Sequence, residues 1–249
     1  MIKNILVPAA ILSGAFSIST VNAQESWTYH GKTGPDFWGT LSPKYTSCVS
    51  GKHQSPIDLE GTDPAALHSL HLNYNVNPVT LRHTGKQIIQ TYLAGSFLKV
   101  GDNNFELKSF TFHTPSEHTV AGKKYPIEIQ FEHKNKDDKI AILSVFGDVG
   151  IENKAASEII QNLPLEAGQN SIAQKIWINA RDLTPHDKAY YRYNGSLTQP
   201  PCTEGVNWYI LKTPITFSKE QVQILTTVTG ENARPVHSRN HRIILDTNQ

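Results

Sequence analysis

The stretch FTFHTPSEH at 110–118 sets one imidazole, His113, in a strand-like alternation that runs into a Pro-containing turn carrying Glu117 and His118. Side chains at i and i+2 of a strand share a face, so Thr111 and His113 point one way while Phe110 and Phe112 point the other. The run IEIQFEH at 127–133 repeats the pattern, with Ile127, Ile129, Phe131 and His133 on one face and Glu128, Gln130 and Glu132 opposite. If both apolar faces point into one core, the polar faces line a wet cavity furnished with an imidazole, carboxylates, an amide and a hydroxyl. Such a set could take a cation. His113 with Glu132 and the Gln130 oxygen is a hard-donor set, better suited to magnesium, calcium or manganese than to zinc. The other reading of His113 is a strand histidine held by hydrogen bonds inside a polar cavity.

Two polar-faced strands need a sheet to hold them, and the chain supplies one. Short β-favouring runs dominate: SFLKV, FELKSFTFH, YPIEIQFEH, KIAILSVFG, KIWIN, KAYYRY and VNWYILK, most bounded by Gly, Pro, Asn or Asp. The best helical signals are NKAASEIIQNL, with Asn153 as its cap, and SKEQVQILTTV, where Ser218 and Gln221 can form a capping box. The fold class expected is mainly β (α+β), a largely antiparallel sheet decorated with a few short surface helices.

The chain opens MIKNILVPAAILSGAFSISTVNA, with a basic Lys3, an apolar run and a small-residue pattern ending at Ala23. This reads as a secretory signal peptide over 1–23, since the run is shorter than the roughly 20 apolar residues of a membrane span. The expected location is periplasmic or secreted, with no membrane span after removal of the leader. Residues 24–249 read as one domain, because no linker, charge block or repeat divides them. Cys48 and Cys202 are the two cysteines, and an oxidising compartment favours their pairing. A two-cysteine metal site is the rival, and the long gap between them counts against it. With 23 Lys and Arg against 22 Asp and Glu, no global field argues for nucleic acid.

Five ordered blocks carry a family resemblance: WTYHGKTGPDFW at 27–38, QSPIDL at 54–59, FHTPSEHTVAGKKYPIEIQFEHKN at 112–135, YNGSLTQPPCTEGVNWYILKTPI at 193–215 and NARPVHSRNHRI at 232–243. The chain resembles the alpha-class carbonic anhydrases in their bacterial exported form. The resemblance implies a central twisted sheet of about ten mostly antiparallel strands, a conical cavity and a Cys48–Cys202 bridge. It also implies a zinc site of three histidines, two at i and i+2 of one strand and one on its neighbour. The zinc would lower the pKa of a bound water to about 7 for attack on carbon dioxide.

Carried over, that ligand set falls on Thr111, His113 and Gln130, so His113 alone keeps the family's residue. The proton-shuttle position after Gly85 holds Lys86, whose ammonium is a poor relay near neutral pH. Ser109 stands where a glutamine partners the first ligand, and Glu132 stands where the pocket wall is small and apolar. Glu117 and Thr198 match the pair that orients the zinc-bound hydroxide; Glu128 matches a carboxylate behind the ligands, Tyr29 a cavity tyrosine and His118 a structural histidine. The segment Gly195–Pro201 should form one cavity wall.

Of the other histidines, His133 should face away from Gln130, and the rest read as surface residues. RPVHSRNHR groups Arg234, Arg239 and Arg242 with His237 and His241, either as cations for an anionic polysaccharide or as a solvated face with an arginine tucked under the sheet. The expected function is an exported carbonic-anhydrase-like protein without zinc-dependent hydration, with no cofactor, binding a small anion or polysaccharide. One rival is an active carbonic anhydrase on an unconventional metal site of His113, Glu132 and Gln130, with zinc as its cofactor. The other is a structural or storage protein without a ligand.

Overall fold

The computed structural model describes residues 27–247; the leader read at 1–23 lies outside the described residues. Twelve strands are described: β1 Asp63–Ala65, β2 Leu70–Asn73, β3 Val76–His83, β4 Ile88–Thr91, β5 Phe97–Val100, β6 Asn103–His113, β7 Ile127–Lys134, β8 Ile140–Val149, β9 Asn170–Asn179, β10 Tyr190–Ser196, β11 Glu204–Phe217 and β12 Leu245–Thr247. They form one sheet in the order β1-β12-β10-β11-β8-β7-β6-β4-β3-β9. The two strands beyond the expected ten arise because β5 also pairs with β6 and carries β2 on its other side. Pairing is antiparallel except between β1 and β12 and between β8 and β11. Among the described residues four α-helices, α1 Trp38–Leu41, α2 Ser47–Ser50, α3 Lys154–Ile160 and α4 Lys219–Thr229, accompany the sheet.

The two longer helices begin where their caps direct. Asn153 accepts from Ala156 N–H at the start of α3, and Ser218 and Gln221 form the reciprocal box at the start of α4, satisfying N–H groups that have no intrahelical partner.

One irregularity in β6 decides what the cavity contains. Leu107 pairs with His133 and Ser109 with Glu132, leaving Lys108 as an extra residue. Such a bulge inverts the alternation. Phe105 and Leu107 therefore enter the core on one phase, and Phe110 and Phe112 on the other. Beyond the bulge, Ser109, Thr111 and His113 emerge on the face opposite the core. The main core packs Phe110, Phe112, Ile127, Ile129 and Phe131 with Leu143 and Val145. A second cluster around Phe146, Tyr193 and Trp208 fills the other side.

The third cluster is Tyr29, Trp38, Tyr45, Cys48 and Cys202. Its cysteines form a disulfide across a sequence separation of 154 residues, tying α2 to the segment between β10 and β11.

Among the polar residues one expectation needs correction and one pair of readings is resolved. His83 is buried rather than at the surface: its ring donates from Nε2 to Val228 O (3.1 Å) and accepts Gly85 N–H at Nδ1 (2.9 Å). A residue that closes β3 while bracing α4 cannot be recognised from strand alternation alone. Arg234 is 1% exposed and presents no charge to solvent. Its guanidinium donates to Gln54 Oε1, Ser55 O and Cys48 O and lies over Trp38, so of the two readings the tucked arginine holds for this position.

Candidate functional site

Ser109, Thr111 and His113 from β6, Gln130 and Glu132 from β7, and Thr198 line one narrow cleft with Gln87, Ile142, Leu197 and Gln199. Its volume is about 30 Å³, room enough to seat a water-sized particle. The ladder sets the arrangement, because Ser109 faces Glu132 and Thr111 faces Gln130 on successive same-face rungs.

His113 is held in a single tautomer. Its Nδ1–H donates to Asn232 O at 2.8 Å. A carbonyl can only accept, so neutral His113 keeps its lone pair on Nε2, 3.3 Å from Thr111 Oγ1. Asn232 itself is clamped, accepting from Thr114 N–H and donating to Phe112 O. Its role was not read from the sequence. Its place at the head of the NARPVH block is the one signal that pointed to it.

Behind the cleft, Gln130 joins two buried carboxylates. Its amide donates to Glu117 Oε2 (2.7 Å) and to Glu128 Oε1 (3.0 Å). Both N–H bonds are thereby used, leaving Oε1 as the polar group available on the cavity side. Glu117 completes its set by accepting Arg234 N–H at Oε1. Thr198, paired with Glu117 by the resemblance, makes no hydrogen bond to it among the described residues; the carboxylate oxygens are engaged by Gln130 and Arg234 instead.

Glu128 accepts from the Glu117 and His118 N–H groups, the His118 ring, Gln130 and Ser144. Burial alone would raise its pKa, but the His118 imidazole and hydrogen bonds from His118 and Ser144 outweigh this and hold it at about 2. His118 donates from Nδ1 to Glu128 and meets the Tyr193 hydroxyl at Nε2, and that hydroxyl contacts Ser55 Oγ. Gly195 is required beside this chain, because a Cβ there would run into Ser55 Oγ and the Tyr193 ring. His118 is thus committed to structure, and His133 faces the core with Tyr74, opposite Gln130.

At the cavity wall, burial pushes the Glu132 carboxyl above its usual range, with Lys134 only partly opposing. Lys86 lies outside the cleft lining, its ammonium 4.8 Å from the centre of the Trp27 ring. Tyr29 is buried, and among the described residues its hydroxyl has no partner within hydrogen-bonding geometry. Burial, and then the Glu117 charge, push its pKa well up, so it stays neutral.

The basic C-terminal run is largely self-contained. Arg239 donates to the carbonyls of Glu60, Gly61 and Arg242, and Arg242 to those of Gln54, Ser238 and Arg239. Donors for a cation therefore lie in the cleft: His113 Nε2, Thr111 Oγ1, Gln130 Oε1 and the Glu132 carboxylate. Among the described residues no three His, Cys, Asp or Glu side chains gather as a metal-ligand group.

Residues 33–249 match the family described as eukaryotic-type carbonic anhydrase. A carbonic anhydrase of Klebsiella pneumoniae is 36% identical, the match covering 98% of this chain and all of the relative. The alpha-carbonic anhydrase of Thermovibrio ammonificans, solved with the inhibitor sulfanilamide, superposes with a TM-score of 0.86 at 39% identity, over 89% of this chain and 99% of that one. Dioscorin, solved with ascorbate, superposes at 0.84 with 30% identity, over 90% and 98%. The fold expected from the sequence is the one these structures share.

Proposed function

Because the chain belongs to the eukaryotic-type, alpha-class carbonic anhydrase family, we propose that it is an exported member that has given up zinc-dependent hydration of carbon dioxide and uses the cavity for binding. The observation that carries this reading is the Gln130 amide, turned onto Glu117 and Glu128 at the rung opposite Thr111. A catalytic zinc of this family type needs three neutral nitrogens and an open fourth position. His113 supplies one. Thr111 offers a neutral hydroxyl and Gln130 an amide oxygen, and neither replaces an imidazole at zinc.

Without the metal, water in the cavity returns toward its bulk pKa of about 15.7, and almost no hydroxide exists at neutral pH. Glu117 can only orient a nucleophile that already exists, and here it is engaged by Gln130. Glu132 also places a carboxylate on the wall beside Ile142 and Leu197, where an apolar surface would suit carbon dioxide. Dioscorin, whose solved structure holds ascorbate, supports the idea that this fold serves ligand binding.

The test is elemental analysis of the purified mature protein after dialysis against zinc, with carbon dioxide hydration and sulfanilamide inhibition followed on the same sample. No retained zinc and no hydration above buffer is the expected result. One tightly held zinc per chain with sulfanilamide-sensitive turnover would establish the rival, a working carbonic anhydrase on an unconventional site.

A further inference from the structure

We infer that the cleft between β6 and β7 is a seat for a small ammonium-type cation, ammonium itself or the head of a primary amine, and that it excludes bicarbonate and similar anions. The inference rests on the reading above that no zinc occupies this place, and it reverses the charge of the ligand expected from the sequence.

The cleft lining holds one acidic side chain, Glu132, and no Lys or Arg. Around it stand groups that accept hydrogen bonds: the Gln130 oxygen, freed by the commitment of its nitrogen to Glu117 and Glu128; His113 Nε2, left with its lone pair by the Nδ1–H bond to Asn232; and the hydroxyls of Ser109 and Thr111, which rotate to accept. An ammonium group donates hydrogen bonds and accepts none, so it matches this set. An anion would meet the Glu132 carboxylate with no cation in the lining to offset it.

Room and ligand number agree with this. About 30 Å³ is space enough for a particle the size of water or ammonium. Calcium takes six to eight oxygen ligands, and magnesium is octahedral and keeps several waters about it, more than this lining and its space supply. Nearby cations do not neutralise the seat. Lys134 Nζ is 3.9 Å from Glu132 Oε1, but both side chains are partly exposed, and Lys134 lines a separate outer cleft. Exposed pairs of that kind are weak.

The experiment uses the mature chain, labelled for NMR, titrated with methylammonium chloride, ammonium chloride and sodium bicarbonate at matched ionic strength, its zinc content measured on the same sample. Saturable shifts of the Gln130 side-chain amide with both ammonium salts and none with bicarbonate are expected. Glu132→Gln, which keeps the shape and removes the charge, should weaken methylammonium binding roughly tenfold with an unchanged spectrum elsewhere. A zinc-free protein that saturates with bicarbonate, responds to neither ammonium salt, or binds methylammonium equally well as Glu132→Gln overturns this inference alone. Retained zinc overturns the reading on which it rests.

Discussion

Gln130 Nε2 lies 2.7 Å from Glu117 Oε2, and the same nitrogen reaches Glu128 Oε1 at 3.0 Å. A neutral amide thus sits between two fully buried carboxylates and donates a charge-assisted hydrogen bond to each. Hydrogen bonds to charged groups contribute about 1.5–3 kcal/mol. Gln130→Met keeps the volume and removes both donors, so it should destabilise the protein by about 3 kcal/mol or more. Urea unfolding at pH 7.5 measures this, and a loss below about 1 kcal/mol would show that the amide is not the bridge described.

If Thr111 and Gln130 stand where two zinc-binding imidazoles belong, as proposed, restoring them should create a metal site. The ladder already sets the two residues opposite each other, with His113 two residues along from Thr111. Thr111→His with Gln130→His is expected to retain about one zinc per chain after dialysis, whereas the parent retains none. Useful turnover should further require Glu132→Val and Lys86→His, to clear the wall and provide a relay that titrates near neutral pH. A double variant that folds normally yet binds no zinc would show that the two positions do not correspond to ligand positions.

The strand faces of this site were readable from residues 110–113 and 127–133 because period two leaves a clear mark when one face is apolar. The bulge at Lys108 was not read, although FELKSFTF carries its trace: Phe105 and Leu107 fall on one phase, Phe110 and Phe112 on the other. Which arginine of the C-terminal run is tucked under the sheet, Arg234, and the burial of His83 were harder still. Both depend on contacts with segments far away in sequence, Cys48, Gln54 and Ser55 for the first and Val228 for the second. A local pattern says nothing about which distant carbonyls a side chain will meet. The hydrogen-bonding direction of Gln130 has the same origin, since it follows from Glu117 and Glu128 arriving together behind it.

The Cys48–Cys202 bridge joins segments 154 residues apart and lies among Tyr29, Trp38 and Tyr45. Restricting the unfolded chain over a loop of that length contributes about 2–4 kcal/mol. Cys48→Ser with Cys202→Ser should lower stability by that amount in urea unfolding and make it insensitive to added reductant. Equal stability of parent and variant under oxidising conditions would mean that the bridge adds no net stability.

Acid should weaken the fold in two stages with the same sign. Burial lowers the His133 pKa from about 6.5 to about 4, with the Ala141 carbonyl partly opposing; the neutral ring accepts the Tyr74 hydroxyl at Nε2. Between those values the unfolded chain takes up the proton first, so stability present above pH 6.5 is lost as the pH falls toward 4. His237 adds to this stage, its pKa also lowered to about 4 by burial and then by Arg234 and Arg242. Glu128, whose folded pKa is about 2, extends the loss, since its stabilisation is present above about 4.5 and disappears as the pH approaches 2. Glu132 runs the other way, because its raised pKa lets the folded chain bind a proton before the unfolded one, but its partial exposure keeps that contribution small. Urea unfolding of the parent at pH 7.5, 6 and 4.5 should therefore show a steady decline. His133→Gln removes one titrating ring while leaving an acceptor for Tyr74, and should reduce the decline between pH 7.5 and 4.5 by about 2 kcal/mol. Superimposable pH profiles for parent and variant would show that His133 takes up its proton equally readily folded and unfolded, and that the acid sensitivity arises elsewhere.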